Sequence, residues 1–384
     1  MATTKKIRVL FVAGMYPTPK FPQKGIFCHE QVKALIKSGV QVDVAVPYTF
    51  YDREVEQKEW NHEGVPIKYV CYFKIPGTIG FQKIGYALSK LLDKSFDIKS
   101  YDLIHADAAL PTGQAAMILS KKYGVPYVVH GHGLDVFLDV SYKEKSNCNK
   151  IVEAGIEVYK NSNAVIGVSQ KVIDNILLRL DIKGKAYVAY NGVDIDTFFP
   201  SQHNNDKLVI SVIGNLIPLK GHQYLIDAVS RFNQEYPGEV SVKIIGRGPL
   251  EEEIKNQVKE LELSDIIEFM GYIPYEQVAN ELQKSDVFIL PSYYEALGCV
   301  YLESMACGLP AVGCIHNGID EIIQDGVNGY LVEEKSAQSI YEKLILLRDK
   351  AVRKQIGRNA RETVQHYTWN DSAAAVKKVY QEIV

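Results

Sequence analysis

The sequence contains no apolar run that approaches the roughly 18 consecutive residues of a membrane-spanning helix. Its six cysteines form neither a CxxC pair nor a regular framework, so we interpret them as reduced, mostly structural thiols. A GxxxxGK[ST] phosphate-binding loop and zinc-ligand spacings are also absent. No low-complexity tract or short internal repeat occurs. These absences exclude disulfide-stapled, fibrous, disordered and solenoid proteins.

The N-terminal apolar run, residues 7–12, is too short for a signal peptide and lacks a small-residue cleavage site. We therefore expect a cytoplasmic protein that could also lie at the inner face of the membrane. Residues 1–200 carry 25 Lys and Arg against 20 Asp and Glu, whereas residues 201–384 carry 18 against 26. A basic first half can contact anionic lipid or bind an anionic acceptor. Ordinary surface variation explains the imbalance equally well.

A chain of 384 residues with 47% hydrophobic and 23% charged residues is typical of a globular protein with two domains. Short β-branched runs alternate with helical patterns in both halves, which predicts an α/β fold with parallel, right-handedly wound sheets. The predicted strands are 7–13, 42–46, 103–105, 127–129, 165–168, 187–189, 208–213, 240–245, 266–270, 287–290 and 311–312. The predicted helices between them include 29–38, 113–123, 170–180, 223–233, 250–261, 275–284 and 300–307.

A linker is predicted near residue 200. The turn signal Asn191-Gly192 is followed by Pro200 and the polar stretch 201–207. We therefore expect one domain over 1–200 and another over 201–366. Parallel open sheets bind ligands at the carboxyl ends of their strands, so two such domains facing each other would form a cleft.

Two glutamates, Glu295 and Glu303, follow the predicted strand 287–290. Glu295 lies in the loop, and residues 296–299 enter a helix whose free N–H groups could bind an anion. Glu303 lies inside that helix, where a carboxylate can accept two hydrogen bonds from a ribose. Isolated glutamates usually lie on a solvated helix face, but apolar neighbours such as Val300 argue against full exposure here.

Other short motifs also follow predicted strands. They are GNLIPLKG (214–221), IIGRGPL (244–250), FMGYIP (269–274), NGIDE (317–321), GVNG (326–329), DAALPTG (107–113), HGLD (132–135) and NGVD (191–194). Together with E-x7-E over 295–303, this series resembles the family-4 retaining glycosyltransferases along essentially the whole chain. That family has the GT-B fold, two Rossmann-like doubly wound parallel-sheet domains facing across a cleft.

The resemblance implies a role for each matching residue. Glu303 would bind the ribose hydroxyls, Glu295 would contact the donor sugar, and Lys220 would neutralise the diphosphate leaving group. Glu295, Lys220 and His132 would be the catalytic residues. The implied donor-binding residues are Gly25, Asn215, Lys220, Gly246, Gly271, Ile273, Glu295, Ala296, Leu297, Gly298, Cys299, Val300 and Glu303.

Two positions depart from the family pattern. Asn215 stands where the family commonly has arginine, which would remove one diphosphate cation or move it elsewhere. Lys24-Gly25 stands where paired glycines often precede a helix, although Gly25 keeps the position of close approach.

On the first half, His132 follows the predicted strand 127–129, where the family places a histidine of the site. We interpret the neighbouring His130 as structural. Asp135 either orients His132 or meets the acceptor, and both roles stay open. Asn191 is also assigned to the acceptor side.

The resemblance implies retaining transfer from a UDP- or GDP-sugar to a glycan or lipid-linked acceptor, in cell-envelope, capsular or exopolysaccharide synthesis. It implies no metal ion and no other cofactor, and nucleic acid is not an expected partner. The DxD at Asp194–Asp196 is interpreted as linker because it follows a turn. A sugar-nucleotide epimerase of the same fold and a non-catalytic sugar-nucleotide-binding subunit remain alternatives.

Residues 69–99 combine aromatic residues with lysines. Together with the preceding lysine, they are Tyr72, Phe73, Phe81, Tyr86, Lys68, Lys74, Lys83, Lys90, Lys94 and Lys99. Such a segment can lie on a membrane, or it can form a helix that packs on the first sheet with its lysines in water. The last residues, about 367–384, predict an amphipathic helix, which in this fold returns to the first domain.

Overall fold

The computed structural model describes residues 6–49, 55, 57–73, 80, 83–133, 136 and 148–384. The chain divides into two compact units, one comprising Met1–Asn191 with Trp369–Val384 and the other Gly192–Thr368. The chain passes from the first unit into the second at the Asn191-Gly192 turn. Residues just after it belong to the second unit because Val193 forms a parallel bridge with Thr368.

The first unit contains one sheet in its described residues. Its strands are β1 Arg8–Val12, β2 Gln41–Thr49, β3 Glu59–His62, β4 Val65–Tyr72, β5 Leu103–Ala106, β6 Tyr127–Gly131, β7 Ala164–Gly167 and β8 Ala186–Val188. They lie in the order β3-β4-β2-β1-β5-β6-β7-β8. Every described pairing is parallel except that of β3 with β4. After its first residue, Arg8, the central strand β1 is apolar and buried, as expected for a strand covered on both faces.

Helices connect these strands. They are α1 Ile26–Lys37, α2 Ile84–Ser95, α3 Gln114–Tyr123, α4 Cys148–Asn161, α5 Gln170–Leu177 and, from the end of the chain, α12 Trp369–Ile383. The C-terminal helix α12 packs beside α1 in the first unit. Its Tyr380 hydroxyl lies 2.6 Å from Nδ1 of the buried His105 on β5.

The second unit has a sheet whose described pairings are all parallel, in the order β11-β10-β9-β12-β13-β14. Its strands are β9 Leu208–Ile213, β10 Val240–Ile245, β11 Ile267–Gly271, β12 Val287–Ile289, β13 Ala311–Cys314 and β14 Gly329–Val332. Its helices are α6 His222–Glu235, α7 Glu251–Glu260, α8 Tyr275–Gln283, α9 Cys299–Ala306, α10 Ala337–Leu347 and α11 Lys350–Val364.

The predicted α/β fold with parallel sheets is confirmed in both units. The sequence did not reveal the β3–β4 hairpin. Its outer strand reads Glu-Trp-Asn-His and has no fully buried residue, because it lies at the edge of the sheet. An edge strand needs no continuous apolar run, so it lacks the signal that marks the central strands.

The lysine-rich segment 69–99 is divided between two elements. Tyr69 and Tyr72 belong to β4, and residues 84–95 form α2, which buries Ile84, Leu88 and Leu92. Lys90 and Lys94 are both exposed, as the packed-helix interpretation expects. Lys74 and Phe81 lie outside the described residues. No helix in the described part of the chain is long and apolar enough to cross a membrane.

Candidate functional site

Each sheet has a switch point, where the strand order reverses direction. In the second unit β9 pairs with β10 on one side and with β12 on the other, so the switch point lies between β9 and β12. Loops that leave the carboxyl ends of two such strands diverge and open a crevice, which is where doubly wound sheets bind ligands. The loops at this position, 214–221 and 290–298, carry Lys220 and Glu295.

Lys220 and Glu295 form an ion pair between the two loops. Both side chains are largely buried, with less than one fifth of their surface exposed. This ion pair joins residues that are 75 positions apart in sequence and places opposite charges at the switch point. An ion pair of this kind is exchangeable, because an anionic ligand can replace the carboxylate as the partner of the lysine.

The Glu295 loop is fixed by the loop that follows β13. The Asn317 side chain accepts a hydrogen bond from the Glu295 N–H at 2.8 Å and donates one to the Ser292 carbonyl at 3.0 Å. The Gly318 N–H donates to the Glu295 carbonyl at 3.2 Å. Asn317 is only 4% exposed, so these bonds are shielded from water. The backbone on which Glu295 is mounted is thus held in place before any ligand binds.

Helix α9 begins immediately after this loop. Gly298 is its N-cap and, having no side chain, makes no capping hydrogen bond to the first N–H groups of the helix. Ala296 and Leu297 are buried, whereas Gly298, Cys299 and Val300 are partly exposed. Burial, followed by the charges of Glu303 and Glu295, raises the pKa of the Cys299 thiol. Both carboxylates therefore lie close to the start of α9, as the E-x7-E spacing predicts.

Glu303 is a buried carboxyl group, with 6% of its surface exposed. Burial raises its pKa to about 7, while a hydrogen bond donated by the Tyr275 hydroxyl, at 3.0 Å from Oε1, acts in the opposite direction. Glu303 is therefore not part of a solvated helix face. A buried acceptor with one hydrogen bond can accept others from a ligand's hydroxyl groups.

The loops after β10 and β11 complete this edge of the sheet. Gly246 has φ 145°, and a Cβ there would lie 2.0 Å from the Gly214 carbonyl oxygen, so only glycine fits. Gly271 lies beside the Arg247 guanidinium, and Ile273 and Asn215 both retain solvent exposure. Among the implied donor-binding residues, those of the second unit thus occupy the carboxyl edge of one sheet.

The first unit has its own switch point, between β1 and β5. The Asp107 carboxylate, just after β5, accepts hydrogen bonds from the Gly14 N–H at 2.8 and 2.9 Å. Burial raises the pKa of Asp107 to about 6. Gly25 caps α1 with φ 63°, and a Cβ there would lie 2.4 Å from the Met15 carbonyl oxygen. The chain's own loop therefore requires glycine at this position.

His132, directly after β6, is the last ring of a row of histidines. Its ring stacks on that of His130 with centroids 4.4 Å apart, and His130 lies 5.3 Å from His105. The His132 ring also contacts Phe27 at 5.0 Å. Burial lowers the pKa of His132 to about 4 and that of His105 to about 3, so both rings are neutral at pH 7. A neutral imidazole can donate or accept a hydrogen bond.

The two acceptor-side residues differ in what the structure describes. Asp135 lies outside the described residues. Asn191 is 6% exposed and is the last residue of the first unit before the division.

Two further polar residues lie at these edges, and the sequence alone did not predict them as site residues. Tyr275 binds Glu303, and its only sequence signal is its position directly after the FMGYIP motif. His222, the first residue of α6, is 1% exposed, and burial together with the charge of Lys220 lowers its pKa to about 4. A lone histidine at a helix start gives no sequence signal of burial.

Family models cover almost the whole chain. The model described as glycosyl transferases group 1 matches residues 194–363, and the model described as glycosyltransferase family 4 matches residues 25–197. These two ranges meet near the division between the two units.

Curated proteins are similar over most of their length. An uncharacterized glycosyltransferase of Methanocaldococcus jannaschii is 30% identical over 84% of this chain and 88% of its own. A Bacillus subtilis putative glycosyltransferase named for teichuronic acid biosynthesis is 24% identical over 98% and 99%. The Escherichia coli UDP-Gal:alpha-D-GlcNAc-diphosphoundecaprenol alpha-1,3-galactosyltransferase is 28% identical over 72% and 73%.

Solved structures share the fold. The sucrose-phosphate synthase of Thermosynechococcus elongatus superposes with a TM-score of 0.83, at 20% identity over 98% of this chain and 99% of its own. HepE of Anabaena, in complex with UDP-glucose, gives a TM-score of 0.75 at 19% identity over 98% and 100%. The family models and the Methanocaldococcus jannaschii relative show that the chain belongs to the group 1, family 4 glycosyltransferases and is an enzyme of that class.

Proposed function

We propose that the second unit binds the nucleoside diphosphate of a UDP- or GDP-sugar, and that the enzyme transfers the sugar with retention of anomeric configuration. One observation carries this proposal. A buried cation, a carboxylate and an uncapped helix start meet at the switch point between β9 and β12, with the buried Glu303 one turn further along α9. The cation and the helix start can bind a diphosphate, and the two carboxylates can accept hydrogen bonds from the hydroxyl groups of a sugar and a ribose.

Lys220 would exchange partners when the donor binds. Its ammonium group pairs with Glu295 in the structure, and a diphosphate carries more negative charge than one carboxylate. The lysine would then neutralise the charge that develops on the leaving diphosphate. Glu295, released from the pair, would accept hydrogen bonds from hydroxyl groups of the donor sugar. The N–H groups at the start of α9 would stabilise the phosphate.

Positive charge from the protein makes the proposed reaction independent of a metal ion. Lys220 and the α9 N-terminus supply at the diphosphate the charge that a divalent cation would otherwise supply. In a retaining transfer the acceptor hydroxyl attacks the face that the diphosphate leaves, and we assign its proton to a diphosphate oxygen. Catalysis then depends mainly on positioning and on stabilising the leaving group.

We further propose that the acceptor is a glycan or a lipid-linked glycan of the cell envelope, used at the cytoplasmic face of the membrane. The names of two relatives support this choice, one referring to teichuronic acid biosynthesis and the other to a diphosphoundecaprenol acceptor. The excess of basic residues over 1–200 supports contact with an anionic acceptor or membrane. In the first unit, His132 would hydrogen-bond the donor sugar or the leaving group, and Asp135 and Asn191 are assigned to the acceptor side.

A thermal-shift screen of the purified full chain against UDP, GDP, ADP and their sugar conjugates, in EDTA, tests the donor site. A ligand at 100 times its dissociation constant adds about 2.7 kcal/mol of stability. We expect a shift with one base, lost in Glu303→Ala, reduced in Lys220→Ala and unchanged in the exposed control Lys259→Ala. If no nucleotide shifts the transition, or if all three variants respond like the wild type, the donor site is not where we place it.

A further inference from the structure

A second cluster of polar side chains lies in the first unit, apart from the loops at its switch point. His29 is in the first turn of α1, His62 is the last residue of β3, and Glu63 begins the turn between β3 and β4. One possible ligand atom from each of these residues lies within 4.8 Å of the others. Two imidazoles and a carboxylate are a ligand set that borderline transition metals accept.

His29 presents a buried ring nitrogen to this cluster. The residue is fully buried, and its Nε2 makes no hydrogen bond with any described residue. This nitrogen is aimed at the cluster, 3.7 Å from Glu63 Oε2, which is too far for a hydrogen bond. The opposite nitrogen, Nδ1, lies 3.1 Å from the Tyr16 hydroxyl. An imidazole anchored through one nitrogen and presenting the other is the usual arrangement of a metal-ligating histidine.

His62 is oriented by its neighbours. Its ring stacks on Trp60 with centroids 4.4 Å apart and lies 4.5 Å from the His29 ring. Two closely spaced rings on different elements can each offer a nitrogen to one ion.

Movement of the Glu63 side chain can bring its carboxylate oxygen to the separation that ligands of one metal ion require. Bonds of about 2.0–2.2 Å to a tetrahedral zinc ion place ligand atoms roughly 3.4 Å apart. The Glu63 side chain is 50% exposed and stands at the tip of the hairpin, so it can move by about 1 Å without disturbing the core. Three protein ligands leave a fourth position, which water can fill.

Lys33 is a positively charged side chain beside the cluster. Its Nζ lies 2.6 Å from Glu63 Oε2 and 3.0 Å from Glu30 Oε1. Glu30 lies one residue after His29 on α1, so the lysine keeps a partner when Glu63 turns to a metal ion. The charged groups at the cluster, Glu30, Lys33 and Glu63, sum to a single negative charge, which favours the binding of a divalent cation.

We propose that His29, His62 and Glu63 bind one divalent transition-metal ion, with Zn²⁺ as the expected occupant. The ion would tie the start of α1 to the β3–β4 hairpin at the edge of the first sheet. Its role is structural, and it is separate from the metal-independent transfer proposed for the second unit. The proposal therefore stands or falls independently of the donor site.

The test is a titration of untagged, chelator-treated full chain with ZnCl₂ and with CoCl₂. We expect one Zn²⁺ per chain by elemental analysis and a transition that rises by roughly 5 °C at saturation. Co²⁺ should give visible absorption bands typical of tetrahedral coordination. All three signals should disappear in the double variant His62→Gln/Glu63→Gln, whose residues are partly exposed, and remain in the matched double variant His366→Gln/Glu59→Gln.

Two results would overturn the proposal. One is the absence of saturable Zn²⁺ or Co²⁺ binding by the wild type at concentrations up to the millimolar range. The other is equal binding by the wild type and by His62→Gln/Glu63→Gln, which would assign the metal to another site. Because His62 and Glu63 lie at the edge of the fold, circular dichroism of the apo variant should match the wild type. An unfolded His62→Gln/Glu63→Gln variant would be replaced by Glu63→Gln alone, for which we expect at least about tenfold weaker Zn²⁺ binding.

Discussion

The buried Glu303 makes the stability of the unliganded enzyme depend on pH. Its pKa is about 7 in the folded protein, against 4.5 for an exposed glutamate. Between these values the unfolded chain releases a proton that the folded chain retains, so the free energy of unfolding falls as pH rises. At about 1.36 kcal/mol per pH unit, the contribution of this group changes by about 2.5 kcal/mol between pH 5 and pH 8.

Replacing Glu303 with glutamine removes this dependence and keeps the shape of the side chain. The side-chain carbonyl of the introduced glutamine can still accept the hydrogen bond from Tyr275. We therefore expect the wild type to lose about 2.5 kcal/mol more than Glu303→Gln between pH 5 and pH 8. Glu276→Gln, on the same helix as Tyr275, should behave like the wild type.

The assay is denaturant unfolding at both pH values, monitored by far-UV circular dichroism. Tryptophan fluorescence is unsuitable because both tryptophans, Trp60 and Trp369, belong to the first unit, whereas Glu303 belongs to the second. Other titrating groups, such as Asp107, act equally in wild type and variant and cancel in the difference. Equal losses in wild type and Glu303→Gln would refute the reasoning, since they would mean that Glu303 ionises like an exposed residue.

Three further predictions concern single contacts. Lys220→Met should destabilise the protein by about 2 kcal/mol by leaving the Glu295 carboxylate unpaired, and the added Glu295→Gln should restore part of this loss in a double-mutant cycle. Gly246→Ala should cost at least about 2 kcal/mol in thermal unfolding, because its Cβ has no room, and more than Gly238→Ala, where the space is open. Tyr380→Phe should cost about 1–3 kcal/mol, because a buried histidine loses its hydrogen bond; a loss under about 0.5 kcal/mol would show that the contact is unimportant.

The sequence predicted the central strands well because they are buried on both faces. Strands β9 and β10 have the predicted bounds, and β1 differs from its prediction by one residue at each end. The hairpin of β3 and β4 was missed because its outer strand is polar. Strand β14, Gly329–Val332, is short and follows a glycine-rich turn that was identified as a motif and not as the approach to a strand.

The sequence predicts which types of residue form the candidate site, but it does not predict which of them contact each other. The E-x7-E spacing indicated that Glu295 and Glu303 would lie near the start of one helix, and the pKa of Cys299 reflects both charges. Spacing contains no information on contacts between distant loops, so the Lys220–Glu295 pair was not foreseen. Burial of Glu303 depends on packing around α8 and α9, which a local pattern does not reveal.

The role of Gly25 also required three-dimensional information. The sequence assigned its small size to the approach of a ligand. In the structure a Cβ at Gly25 would collide with the Met15 carbonyl, so the loop after β1 already accounts for the glycine. A motif shows that space is restricted at a position, but the neighbour that restricts it becomes visible only in the folded chain.

The central claim is that Lys220 binds the diphosphate of the donor at the β9–β12 switch point. Isothermal titration calorimetry of UDP and GDP in EDTA, with wild type, Lys220→Met and the control Lys259→Met, tests this claim most directly. We predict that one of the two nucleotides binds at one site per chain, at least tenfold more weakly to Lys220→Met, a change of about 1.4 kcal/mol, and equally well to Lys259→Met. Binding of neither nucleotide, or equal affinity in Lys220→Met, would contradict the account.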